Sequence, residues 1–330
     1  MGLIKFALKG NYKNYYEKLK ELSKQNGKSA IVMFIDTAFC TLRYKTGLQD
    51  YINYKFYQKK HKDRKTYASI GYQHEFYKIA AHWDYAPFFS NKINFHKNFK
   101  KYTKRKIATY EDGFEKVKEF ILKREAFIKK PIAGLGGSNV EKILTKDIKN
   151  LEEFYENLNK DNCFLEELII QHRKWNELNP NSVNTIRLVT KCINNKSDIV
   201  FAAARIGSGK SIADNFHQGG VGVDIDIEKG MLRGVTINKN NDENPKTSTG
   251  ITVDGYKIPY WKEMVKMVKE AAKVNQNVHV VGWDIAITEN GPLIIEGNRG
   301  PGMDLIQVLL NRGVKEDLEQ IKKEILESKW

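Results

Sequence analysis

The alternation of bulky and small positions between Val280 and Gly302 is the clearest pattern in the chain. Val281, Trp283, Ile285 and Ile287 alternate with Val280, Gly282, Asp284, Ala286 and Thr288. A period of two predicts a strand with bulky residues on one face and Asp284 among small residues on the other. Glu289-Asn290-Gly291-Pro292 predicts a tight turn, and Glu296 and Asn298 share one face of the strand that follows. Closing this hairpin brings two carboxylates and an amide oxygen towards one point, a donor set that suits a hard cation such as Mg²⁺. Acids decorating the solvent side of a ribbon would give the same pattern. Arg299 and the Gly300-Pro301-Gly302 break favour a polyphosphate site.

Elsewhere, apolar spacing predicts helices over 11–25, 110–123, 147–158, 260–274, 304–311 and 314–326. Short strands are expected over 30–34, 126–131, 163–170, 185–192 and 199–206, with 37–81 mostly helical and 83–89 a hydrophobic loop. Gly134, Gly136, Gly137 and Ser138 lie within five residues, so their backbone N–H groups are free to turn towards an anion. The stretch is neither a Walker A loop nor a dinucleotide fingerprint, and a glycine-rich hairpin tip is the plain alternative. Lys130 stands just ahead of it, where an ammonium would neutralise phosphates. Glu166 and Glu167 interrupt an apolar strand and are costly there unless partnered; such an edge suits adenine's amino group or a ribose hydroxyl. Arg187 and Arg205 also fall inside strands. Asp214, Asn215, His217, Gly219 and Gly220 belong to a stretch that reads as a site-lining loop entering a strand.

Composition adds a direction. The 330 residues carry 55 basic against 40 acidic side chains, a formal charge of +15, which favours anionic partners. Seven Lys or Arg fall among Phe95, Phe99 and Tyr102 between 91 and 106, with no acid. That segment reads as a membrane-surface element, a nucleic-acid contact or a solvated helix face. Cys40, Cys163 and Cys192 form no disulfide framework, and His61, His74 and His82 are too dispersed for a metal site. A cytoplasmic location is expected, open to attachment at the inner membrane face, since no apolar run is long enough to span a bilayer.

Taken in order, these motifs resemble the ATP-grasp superfamily, in its sugar-transfer-associated branch, over about residues 107–312. The resemblance implies an α+β fold of two subdomains gripping ATP, after a smaller helical or α/β domain: 1–106, 107–172 and 173–330. It implies phosphate contacts from Lys130 and the loop of Gly134, Gly136, Gly137 and Ser138. It implies adenine and ribose contacts from the interdomain strand, with Glu166 or Glu167 as polar partners and Leu168 and Ile169 beside them. Arg187 would meet the transferred phosphoryl group, aided by Lys130 and Arg299, and Asp284, Glu296 and Asn298 would hold two Mg²⁺ ions. Asp214, Asn215, His217, Gly219 and Gly220 would read the substrate, with His217 a candidate base. The implied activity is carboxylate–amine ligation through an acyl phosphate, on a sugar acid, amino sugar or amino acid of cell-surface polysaccharide. A kinase acting on a sugar or lipid-linked hydroxyl is the near alternative, and a nucleic-acid or polyanion-binding protein is the distant one.

Overall fold

The computed structural model describes residues 12–134, 139–208 and 219–328. One unit comprises residues 1–76 with 302–320, and the other 77–301 with 321–330.

Among its described residues the first unit contains helices and no strand. The expected strand over 30–34 is instead the start of the helix Ala30–Tyr44. Its β-branched opening favours a strand locally, but Met33, Thr37 and Cys40, spaced by four and three, form a buried helical stripe that decides the conformation. Arg64 clamps Asp36 through two 2.7 Å hydrogen bonds. Tyr51, Tyr54, Phe56 and Tyr67 fill the interior, with the Tyr54 and Tyr67 rings 4.8 Å apart.

Gln307, on the helix Asp304–Leu309, is fully buried. Its amide oxygen accepts from the N–H of Ala68 at 2.7 Å and of Val314 at 3.2 Å. Its amide nitrogen donates to Tyr54 Oη at 3.0 Å and to the Ala68 carbonyl at 3.1 Å. One side chain thus satisfies buried backbone groups from both segments of the unit.

In the second unit, 83–89 is not a loop but a 3₁₀ turn, Trp83–Tyr85, followed by the helix Ala86–Ser90. A four-stranded antiparallel sheet follows, built from β1 (Ile107–Ala108), β2 (Ala126–Pro131), β3 (Glu141–Leu144) and β4 (Cys163–Glu167) in the order β1-β4-β2-β3. The helices Phe114–Leu122 and Leu151–Lys160 cover one face, burying Val117, Phe120, Ile121 and Leu158 with Phe127 and Leu165. Strand β4 is shorter than expected, since Leu168, Ile169 and Ile170 leave the ladder.

The second sheet has seven strands: β5 (Thr185–Ile193), β6 (Lys196–Ile206), β7 (Val221–Asp226), β8 (Met231–Asn238), β9 (Glu243–Asn244), β10 (Val280–Thr288) and β11 (Gly291–Asn298). Their order is β11-β10-β5-β6-β7-β8-β9. Ile186, Leu188, Ala204, Trp283 and Ile285 join one core with Met264 and Val268 of the helix Trp261–Ala271 and with Phe95 and Phe99. Alternation sends Arg187, Arg205 and Asp284 to the opposite face. No helix among the described residues is long and apolar enough to cross a membrane.

Replacing Gln307 by Leu keeps much of the side-chain volume but strands the buried N–H groups of Ala68 and Val314, while the Ala68 carbonyl keeps its bond from Gln73 Nε2. We expect a loss of about 3 kcal/mol, read as a lower urea midpoint, whereas Gln307→Glu restores only the acceptor half. An unchanged midpoint for Gln307→Leu would rule out this clasp.

Candidate functional site

The predicted hairpin forms with Asp284 directly opposite Glu296 and Gly282 opposite Asn298. A bulge after Asp284 leaves Ile295 as the extra residue, since Ile285 pairs with Ile294. Bulges re-aim side chains, and this one sits beside the candidate ligands. Gly282 must lack a side chain, because a Cβ there would lie 2.6 Å from Pro301 Cβ and 3.3 Å from Arg187 Cδ.

Asp284 is 2% exposed and is not a solvent-side ornament. In the β5 register it lies opposite Arg187, whose Nε and Nη2 grip its two oxygens, the second at 2.9 Å. Arg205 adds a third contact at 2.9 Å. Burial alone would raise the Asp284 carboxyl; Arg187 and then Arg205 override it and hold the group well below the usual carboxylate range. Glu296 goes the other way. Desolvation, the neighbouring Asp284 charge and a hydrogen bond donated to Asp284 raise its carboxyl. Asn298 Nδ2 donates to Glu296 Oε1 at 3.3 Å. Among the described residues no group of three or more His, Cys, Asp or Glu stands ready for a metal. The donor set here is two carboxylates and an amide, which fits a hard oxygen-seeking cation between Asp284 and Glu296.

A second charged centre lies on the four-stranded sheet. Lys130 and Glu166 face away from the sheet's helices, are 6% and 3% exposed, and form an ion pair. Arg105 reaches the same carboxylate at 2.7 Å, and His96 hydrogen-bonds its other oxygen. Burial would raise Glu166, but Arg105 and Lys130 hold it far down, while burial lowers His96 despite its bond to Glu166. Arg105 Nη2 also donates to the carbonyls of Ile294 at 3.0 Å and Ile295 at 3.3 Å, at the bulge of β11. Glu167 is partnered as well, by Arg124 at 2.5 Å and the Lys106 N–H at 2.8 Å. Both acids of the run are therefore compensated internally, and neither carboxylate stands free.

Lys92 was missed by sequence reasoning. Its ammonium donates to the carbonyls of Pro131 and Gly134, each at 3.1 Å, at the base of the glycine-rich loop. Burial lowers its pKa, while Glu296 and Glu166 act to raise it. Gly134 has φ +130°, a conformation that glycine permits. Gly136, Gly137 and Ser138 lie outside the described residues, as do Asp214, Asn215 and His217. Gly219 has φ +108°, and its carbonyl accepts from Ser208 Oγ; Gly220 leads into β7. Leu168 and Ile169 are half-buried beyond β4. Arg299 stacks on the Trp83 ring, 4.1 Å from its centroid. His96 and Arg105 gave no motif, because the carboxylate that unites them lies 70 positions from His96.

The basic segment 91–106 splits by face. Phe95, Phe99 and Tyr102 are buried, packed around Trp283 and its neighbours, so they are not surface aromatics. Lys97 and Lys100 line an open cleft of about 990 Å³ with Lys106 and Lys116.

A family model described as sugar-transfer associated ATP-grasp matches residues 73–323. No curated protein matches the chain. Among solved structures, the chain is similar to the ATP-grasp ligase PsnB complexed with minimal precursor, Mg and ADP. Identity is 13%, 75% of this chain and 62% of that one are covered, and the TM-score is 0.43. A biotin carboxylase complex from Campylobacter jejuni gives 14% identity, coverage of 76% and 49%, and a TM-score of 0.48. D-alanyl-alanine synthetase A from Vibrio cholerae O1 biovar eltor gives 14%, 72%, 66% and 0.43. The chain thus spans less than two thirds of the length of PsnB.

Glu166 and His96 set an acid limit on stability. Both are held below their unfolded values, so the unfolded chain takes up protons first as pH falls. Stability should decline from about pH 6.5 through His96 and further below about pH 4.3 through Glu166, read from urea midpoints from about pH 8 down to about pH 2.5. Glu166→Gln leaves Lys130 and Arg105 without a counter-charge and should cost about 3–5 kcal/mol at neutral pH. A flat pH profile in the parent chain would contradict this assignment.

Proposed function

The chain belongs to the sugar-transfer-associated ATP-grasp family, and from that premise we propose an ATP- and Mg²⁺-dependent ligase that joins a carboxylate to an amine. The observation that carries the reading is the desolvated Asp284–Glu296 pair, with Asn298 beside it and Arg187 and Arg205 already turned to it. In the proposed reaction an oxygen of the substrate carboxylate attacks the γ-phosphorus of ATP. The bond to ADP breaks and an acyl phosphate forms. The amine then attacks the acyl carbon, and inorganic phosphate leaves.

Mg²⁺, two ions in this reading, would be held by Asp284, Glu296 and Asn298 and would draw charge from the terminal phosphates. Arg187 and Arg205 share Asp284 now, and with that carboxylate holding a cation they would be placed to face the equatorial oxygens of the moving phosphoryl group. Lys92 and Lys130 supply positive charge on the other wall, Lys92 at the base of the glycine-rich loop. Leu168 and Ile169 offer a peptide edge to the base, since Glu166 and Glu167 are occupied by cations of the chain. Arg299, stacked on Trp83, would add positive charge towards the transferred phosphoryl group. Asp214, Asn215 and His217, with Gly219 and Gly220, are proposed to read the substrate, with His217 a candidate base. We take that substrate to be a sugar acid, an amino sugar or an amino acid of cell-surface polysaccharide; the words sugar-transfer associated in the family description support its saccharide context.

Calorimetric titration with a non-hydrolysable ATP analogue should show binding that needs Mg²⁺. Glu296→Gln should weaken the Mg²⁺-dependent part by about tenfold or more without unfolding the chain. With ATP, a carboxylate panel and hydroxylamine, a hydroxamate should accumulate as the acyl phosphate is trapped. Nucleotide binding without any hydroxamate, but with a stable phosphorylated product, would replace the ligase by a kinase. Absence of nucleotide binding would remove both.

A further inference from the structure

The helix Ala30–Tyr44 carries two apolar stripes. Met33, Thr37 and Cys40 face the interior. Ile31, Val32, Ile35, Phe39 and Leu42 face outward and are 61, 61, 64, 52 and 85% exposed. At about 100° per residue these five fall within one sector about 100° wide. A single exposed leucine is ordinary, but five large apolar side chains on one helix face mark an interaction surface. The helix's only acid, Asp36, is turned away, held by Arg64 and Tyr51. Cations flank the stripe at both ends, with Lys28 before it and Arg43 and Lys45 after it.

That charge arrangement selects the occupant. In an antiparallel pairing of two copies, Lys28 of one helix would meet Arg43 and Lys45 of the other. In a parallel pairing each cation would meet itself. Either way like charges converge, on a chain whose formal charge is already +15. An anionic lipid surface meets both needs: acyl chains take the apolar stripe and headgroup phosphates take the cations. With 15 residues the helix is too short to span the hydrocarbon layer and suits a position lying in the interface. We propose that the Ala30–Tyr44 helix docks the protein on anionic membranes, whatever reaction the rest of the chain performs.

The test is co-sedimentation of the full chain with vesicles of phosphatidylcholine alone and with phosphatidylglycerol added. The parent chain should bind the anionic vesicles more tightly. The Ile35→Glu, Leu42→Glu double variant should lose about tenfold or more of that binding while melting at the parent's temperature. An Ile170→Glu, Leu326→Glu variant, changed at exposed apolar sites elsewhere that are 74 and 60% exposed, should bind like the parent. Arg43→Gln with Lys45→Gln should weaken binding to anionic vesicles alone. The proposal is overturned if the parent ignores vesicles, binds neutral and anionic ones equally, or loses binding alike in both glutamate pairs. It is also overturned if sedimentation equilibrium shows a dimer that Ile35→Glu, Leu42→Glu dissolves while vesicles stay unbound, since the occupant is then a second copy.

Discussion

The buried guanidinium of Arg105 ties the second unit together. It neutralises Glu166 on the four-stranded sheet and donates to the Ile294 and Ile295 carbonyls on the seven-stranded one. A charge this deep is tolerable only when fully hydrogen-bonded, so its contacts fix one another's positions. Through Glu166 it orders Lys130 and His96. Through the two carbonyls it reaches the bulge that sets Glu296 against Asp284. Charge balance on one sheet and backbone geometry on the other are consequently parts of one arrangement.

Among the described residues, the acids of both charged centres already have partners within the chain. Asp284 is gripped by two arginines, Glu166 by three cationic or imidazole groups, and Glu167 by Arg124. Ligands recognised here would exchange partners with the protein and would not enter a set of vacant charges. Such exchange keeps desolvated groups paired throughout, which lowers the cost of holding so many ionisable side chains inside one protein.

Much of this was legible in the sequence, for identifiable reasons. The β10–β11 hairpin showed itself because alternation, turn residues and the Glu296–Asn298 spacing are all local. The ligands' proximity followed from the hairpin, but the bulge did not, since one extra residue leaves the period of two visible on each side. Lys130 and Arg187 were found as cations in strands, yet their carboxylate partners come from Glu166 and Asp284, 36 and 97 residues away. Lys92 and His96 were hidden within a basic stretch whose aromatics turned out to be core. The stretch 30–34 misled because Ile31, Val32 and Phe34 among five apolar residues outweigh, locally, a helical stripe that becomes visible only over eight or more.

The first unit is discontinuous: residues 1–76 are completed by 302–320. Ala68 and Gln307, which share two hydrogen bonds, are 239 residues apart. During synthesis, the helices before Phe76 must therefore wait, their aromatic interior unfinished, until the Asp304–Leu309 helix has left the ribosome. Over that interval the intervening sheets can mature while the first unit still exposes the cavity that Gln307 will fill. The first unit is thus completed only after the sheets of the second have been made, and a nascent chain arrested before the Asp304–Leu309 helix emerges presents chaperones and proteases with that unfinished interior.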